Sequence, residues 1–208
     1  MIPFPRRGLY AVTDNRQLAG DALADAVAAA VRGGAAAVQY RDKGGTARER
    51  HRDAARLRAL CAASGVPFVV NDDVELAAAV KADGVHVGRE DATLSEARAA
   101  LGPEAIIGVS CNNSLARALH AQSAGATYVA FGRFFPSRTK PQAVGATLEL
   151  LREARPEMQV PVVAIGGITP ENGGTLLAAG ADVLAAVHGV FGQADPEAAA
   201  RRYAELFR

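Results

Sequence analysis

The sequence is short of cysteine, of net charge and of long apolar stretches. Its two cysteines, Cys61 and Cys111, stand far apart with no metal-binding spacing. A structural disulfide is therefore not expected, and a reduced, cytoplasmic setting fits. Either thiol reads as buried packing rather than as a nucleophile. Charge nearly cancels, with 23 Lys and Arg against 22 Asp and Glu for a formal net charge of +1. That argues against a nucleic-acid or anionic-membrane surface and leaves room for a local positive pocket. No apolar run reaches the ~18 residues of a membrane span. The opening "MIPFPRRGLYAVTD" sets prolines and arginines ahead of a short apolar run and lacks signal-peptide order. No linker, low-complexity tract or charge block divides the chain, so residues 1–208 are expected to form one domain.

What is present is an alternation. Short apolar runs, "LYAVTD" (9–14), "AAVQYR" (36–41), "PFVVND" (67–72), "GVHVG" (84–88), "AIIGVSC" (105–111), "YVAFG" (128–132), "VPVVAIG" (160–166) and "DVLAAVHG" (182–189), are separated by alanine-rich stretches. The runs are apolar at successive positions, as in strands covered on both faces of a parallel sheet. Between them lie helical patterns. One opens at Asp21 as a candidate N-cap and stops at Gly33-Gly34. One carries Leu57, Leu60 and Cys61 at helical spacing and ends by Gly65. One opens with Thr169 and Pro170, with Gly173-Gly174 weakening its first turn, and the last opens with Asp195 and Pro196. Strand–helix units in this order predict a (β/α)₈ TIM barrel, with a doubly wound open sheet as the alternative. The stretch between Asp72 and Val85 is short for a crossover helix.

In such a barrel the site lies at the C-terminal ends of the strands. There the sequence places Gln39, Arg41 and Lys43; Asn71, Asp72 and Asp73; Asp91; Ser110; Ser137, Thr139 and Lys140; Gly166-Gly167; and His188-Gly189. Each has a bland reading: an aspartate that caps a helix, a serine that satisfies backbone, a glycine pair that permits a turn. Together they form two sets. Asp72 and Asp91 are hard-oxygen ligands suited to Mg²⁺, which takes one or two carboxylates and completes its shell with water and substrate phosphate. Arg41, Lys43 and Lys140 supply cations, Ser137 and Thr139 hydroxyls. Gly166-Gly167 opens backbone N–H groups before a helix, after the seventh strand, where barrels often hold phosphate. No His/Cys cluster suggests zinc: His86 sits within a strand run, and His51 and His120 fall in helical patterns. No nucleophile or general base stands out, which points to chemistry driven by a departing diphosphate.

The motifs "QYRDKGG", "VVNDD", "GVHVGREDAT", "GVSC", "FGRFFPSRTKP" and "AIGGITPEN", in this order over about residues 8 to 192, resemble the thiamine-phosphate synthase family. The resemblance implies a (β/α)₈ barrel that joins hydroxymethylpyrimidine diphosphate to thiazole phosphate or its carboxylate. It implies that Gln39, Arg41, Lys43, Asn71, Ser110 and Lys140 hold the pyrimidine diphosphate, with Arg41, Lys43 and Lys140 acting on the leaving group. It further implies that Asp72 and Asp91 bind Mg²⁺, that Ser137, Thr139 and Gly167 contact the thiazole phosphate, and that the protein is a homodimer. "RFFPSRTKP" is expected to close over the substrates. Two positions depart from the common pattern: His188 stands where a serine often follows the last strand, and Ser137 where many members have threonine. A tautomerase relative that rearranges the thiazole, and a non-catalytic barrel that binds a phosphorylated ligand, remain as alternatives.

Overall fold

The computed structural model describes residues 1–16, 18–88, 93–136 and 145–208. Eight parallel strands close into a barrel in sequence order. They are β1 (Gly8–Val12), β2 (Ala35–Tyr40), β3 (Phe68–Asn71), β4 (Gly84–Val87), β5 (Ile106–Asn112), β6 (Tyr128–Gly132), β7 (Val162–Ile165) and β8 (Val183–Ala186). The closing pair runs Gly8 to Val183 through Ala11 to Ala186. Closure excludes the open doubly wound sheet. No helix is long and apolar enough to cross a membrane among the described residues.

The helices are α1 (Gly20–Arg32), α2 (Ala47–Ala63), α3 (Val74–Ala79), α4 (Leu94–Leu101), α5 (Leu115–Ser123), α6 (Leu148–Ala154), α7 (Pro170–Ala179), α8 (His188–Phe191) and α9 (Pro196–Glu205). The short 72–85 stretch holds a helix of only six residues, α3, whose start is fixed by Asp73: its Oδ1 accepts from Leu76 N at 2.9 Å. The expected cap at Asp21 is not found. The N-cap of α1 lies two residues earlier, at Ala19, and Asp21 sits in the first turn, ion-paired with Arg56. The N–H of Gly20 instead donates to Asp53 Oδ2 of α2 at 3.4 Å, a partner distant in sequence. At α9, Asp195 Oδ1 accepts from the N–H groups of Glu197 and Ala198, each at 3.0 Å, and Pro196 fills the first helical position as expected.

Alternating residues of each strand face the helices or the barrel interior. The outer set, including Leu9, Val38, Val70, Ile107, Val129 and Leu184, packs under the helices. The inner set, including Tyr10, Val69, Ile106, Tyr128, Val163 and Val183, fills the barrel. Phe4, ahead of β1, enters the same cluster: its ring stacks on Tyr128 at 4.0 Å and meets Tyr10 edge-on at 5.3 Å. Edge and offset pairs of this kind add about 0.5–1.5 kcal/mol each to the area buried. Helix α7 lies close to the barrel because Gly173 is small; a Cβ there would stand 2.7 Å from Leu184 Cδ1.

Candidate active site at the barrel mouth

A cavity of about 620 Å³ opens at the C-terminal ends of the strands. A second, more open depression lies outside the barrel around Thr93, Ser95, Arg98 and His120. It holds none of the strand-end groups, so the barrel mouth is the candidate site.

On one side, β2 delivers Gln39, Arg41 and Lys43 to the cavity. Arg41 is held by the end of β1. Its N–H donates to Thr13 Oγ1 at 2.9 Å, and the Thr13 hydroxyl donates to Arg41 O at 3.3 Å. The buried Asp14 carboxylate lies 3.9 Å from the Arg41 guanidinium and 2.6 Å from that of Arg16. The bond from Arg16 holds Asp14 below the usual carboxylate range against the opposing effect of burial, and Arg41 adds to the lowering. Asp42, on the opposite face, stays outside the cavity. Its Oδ1 accepts from Gly44 and Gly45 N, each at 2.8 Å, and its Oδ2 from the Tyr40 hydroxyl at 3.1 Å.

Next to it, β3 ends in Asn71 and Asp72, and both line the cavity. Asp72 has φ 63°, a left-handed conformation uncommon for a side-chain-bearing residue, fixed by its N–H donating to His86 O at 2.8 Å. That twist separates its side chain from that of Asp73, which caps α3. Asp72 Oδ2 then accepts from Lys43 Nζ at 2.7 Å. A member of the expected acidic set is thus paired with a member of the expected cationic set. Ser110 of β5 and the largely buried His86 of β4 line the same cavity.

Across the mouth, Gly166 and Gly167 follow β7 with φ 107° and 65°. A Cβ on Gly167 would meet the backbone of Phe135 and Pro136, so the segment after β6 lies directly against this turn. Helix α7 begins just beyond, with Thr169 N donating to Asn172 Oδ1 at 2.8 Å. His188 opens the short α8 and, with Gly189, also faces the cavity. Gly189 leaves room for Tyr203 of α9, whose hydroxyl donates to Ile168 O at 2.6 Å and braces the turn from below.

Asp91, Ser137, Thr139 and Lys140 lie outside the described residues. Gln39, Arg41, Lys43, Asn71, Asp72, Ser110, Gly167 and His188 converge on one cavity. Among the described residues no group of three or more His, Cys, Asp or Glu is set to hold a metal ion. The donor chemistry still suits Mg²⁺, since Asp72 offers a hard carboxylate oxygen at the cavity wall and a phosphorylated ligand would supply further oxygens. Cys61 and Cys111 are free and fully buried, and burial pushes both thiols up to about 12. His51 and His120 are exposed on α2 and α5. Sequence reasoning passed over Thr13 and Asp14, Asn112, Arg133, and the two tyrosines inside the barrel. The polar ending of the first run, "VTD", was the available signal for the first pair.

Similarity to known proteins gives the family. The family model for thiamine monophosphate synthase matches residues 9–190. A thiamine-phosphate synthase of Methylococcus capsulatus is 53% identical over 206 residues, 99% of this chain and 92% of that protein. One of Thioalkalivibrio sulfidiphilus is 53% identical over 201 residues, covering 97% and 95%. Among solved structures, a thiamine phosphate pyrophosphorylase of Pyrococcus furiosus superposes with a TM-score of 0.86 at 36% identity, covering 97% of this chain and 95% of that one. With its barrel, its strand-end groups and a match along nearly its whole length, the chain belongs to the thiamine monophosphate synthase family.

Proposed function

We propose that the protein forms thiamine phosphate, joining 4-amino-2-methyl-5-hydroxymethylpyrimidine diphosphate to thiazole phosphate or its carboxylate with release of diphosphate. The observation that carries this reading is the placement of Arg41 and the Lys43–Asp72 pair across one cavity from the Gly166-Gly167 turn. Two phosphorylated groups can sit there with their reactive ends between them. Arg41, held by Thr13 and Asp14, offers a fixed guanidinium fork to the diphosphate, and Lys43 and Lys140 add point charges. Asp72 and Asp91 would hold Mg²⁺, which when bound offsets charge on the diphosphate oxygens. Gly167, His188 and Gly189 turn backbone towards the thiazole phosphate, and Ser137 and Thr139 add hydroxyls.

The bond between the pyrimidine methylene and the diphosphate oxygen breaks first, and its electron pair leaves with the diphosphate. The thiazole nitrogen then donates its lone pair to the resulting methylene cation. No proton is removed in the coupling step, so the site needs orientation and charge rather than a general base. The test is direct: protein, pyrimidine diphosphate, thiazole phosphate and Mg²⁺ should release diphosphate only when all are present. A tautomerase or a binding barrel would release none, and that outcome would refute the reading.

A further inference from the structure

Five polar side chains form a continuous hydrogen-bonded chain through the barrel. Gln39 Nε2 donates to the Tyr10 hydroxyl at 2.9 Å, and the Tyr10 and Tyr128 hydroxyls are 2.9 Å apart. The Tyr128 hydroxyl is 2.9 Å from His86 Nδ1, and His86 Nε2 is 2.8 Å from Ser110 Oγ. The chain runs through strands β2, β1, β6, β4 and β5, and its members other than Ser110 are buried. Gly108 makes it possible, because a Cβ there would collide with the Tyr128 ring and hydroxyl. Phe4 closes the other face of that ring.

Each tyrosine hydroxyl has a single proton to give, so the bonds along the chain are coupled in direction. Burial raises both tyrosines well above the ordinary phenol range, and they remain neutral donors. With Gln39 donating to Tyr10, the arrangement in which every hydroxyl proton finds an acceptor within the chain has Tyr10 donating to Tyr128 and Tyr128 to His86 Nδ1. That arrangement puts the His86 ring proton on Nε2, donating to Ser110 Oγ. Two atoms are left at the ends of the chain: Gln39 Oε1, an acceptor, and the Ser110 hydroxyl proton, a donor. Both residues line the active-site cavity, as do Tyr10 and His86, whereas Tyr128 does not.

We propose that Tyr10, Tyr128 and His86 are positioning residues that fix the hydrogen-bond polarity of Gln39 and Ser110 towards the pyrimidine substrate. This rests on the functional reading above. A 4-aminopyrimidine carries an amino donor and ring-nitrogen acceptors, the complement of an acceptor at Gln39 and a donor at Ser110. A 4-oxopyrimidine puts an acceptor where the amino donor was.

Nitrogen-15 NMR of histidine-labelled protein tests the chain without any ligand. The His86 signal, assigned by its loss in His86→Gln, should show a proton on Nε2 and none on Nδ1. Tyr128→Phe removes one oxygen that touches no ligand, and should abolish this tautomer preference. It should also weaken binding of the pyrimidine diphosphate about tenfold, as expected for a buried bond left unmade, with thiazole phosphate binding unchanged. The parent should bind the 4-oxo counterpart about tenfold more weakly than the 4-amino ligand, and Tyr128→Phe should narrow that gap. Tyr10→Phe cuts the chain between Gln39 and Tyr128, so it should weaken the tautomer preference as well as the affinity. Val129→Ala, on the outer face of β6, destabilises the barrel without touching the chain and should alter neither readout. A His86 proton on Nδ1, or a folded Tyr128→Phe with the parent's histidine signal and pyrimidine affinity, overturns the proposal. A parent that binds no pyrimidine diphosphate refutes the functional reading and the substrate half of this proposal, while the histidine signal still judges the chain.

Discussion

Gly167→Ala separates backbone strain from simple loss of flexibility. The residue sits at φ 65°, and an added Cβ would stand 2.9 Å from Phe135 Cβ and equally near Phe135 O, with Pro136 O nearer still. Left-handed backbone costs an L-residue about 1–2 kcal/mol. Overpacking against neighbours that cannot rotate away adds about 1–3 kcal/mol. The sum, about 2–5 kcal/mol, corresponds to a fall in Tm of about 4–20 °C for a chain of this size. Two glycines of α7 supply the comparison. Gly174 has nothing within 4 Å of the position of a Cβ, so Gly174→Ala should stabilise by about 0.5–1 kcal/mol through helix propensity alone. At Gly173 the same gain is opposed by Leu184 Cδ1 at 2.7 Å and Leu206 Cδ1 at 3.0 Å, both flexible side-chain ends, so the net loss should be small. Thermal unfolding followed by circular dichroism gives the order Gly174→Ala above parent, Gly173→Ala slightly below it and Gly167→Ala lowest. Steady-state kinetics should show Gly167→Ala raising the KM for thiazole phosphate about tenfold, the loss of about one charge-assisted hydrogen bond. A Gly167→Ala protein that unfolds with the parent and keeps its KM would refute both the strain and the phosphate-binding role. A Gly174→Ala protein as unstable as Gly167→Ala would refute the packing argument behind the series.

Arg41→Ala and Lys43→Ala should raise the KM for the pyrimidine diphosphate or lower turnover, and an effect confined to the thiazole partner would reverse the division of the pocket. Asp91→Ala should cut turnover far more than it weakens thiazole phosphate binding, and unchanged turnover at saturating Mg²⁺ would remove it from the metal site. Asp14 has a depressed folded-state pKa, so its contribution is present above the unfolded value of about 3.9 and is lost as pH falls through the folded value. Asp14→Asn should therefore lower urea stability at pH 7 and shrink the difference between variant and parent in strong acid. Cys61 and Cys111 have raised values near 12, so their contribution is full below the ordinary thiol range and declines as pH rises towards 12. At pH 8 a disulfide reagent should label them only at the rate of unfolding.

The barrel was legible because strands buried on both faces read as unbroken apolar runs, and the polar residue ending each run marks the rim. Asp73 shows the limit of local reading. Sequence offers two adjacent aspartates after β3, and only the left-handed turn at Asp72 decides which caps α3 and which enters the cavity. Asp21 shows another: α1 starts ahead of it, at Gly20, whose N–H is served by Asp53 from a neighbouring helix. The interior chain was hidden for a different reason. Tyr10, His86 and Tyr128 lie inside apolar runs and look like core, and the chain itself is a product of closure, linking strands far apart in sequence. Yet the glycines carried a trace of it. Gly108 lies mid-run, where an unpacked position costs stability and usually marks a close approach. In a closed barrel what approaches is an inward side chain of the next strand. A glycine inside one run beside a strand whose inward residue is a tyrosine therefore points to a ring crossing the barrel, and a ring with a hydroxyl must find a partner there. His86 and Ser110, inward on the two preceding strands, were the candidates in reach.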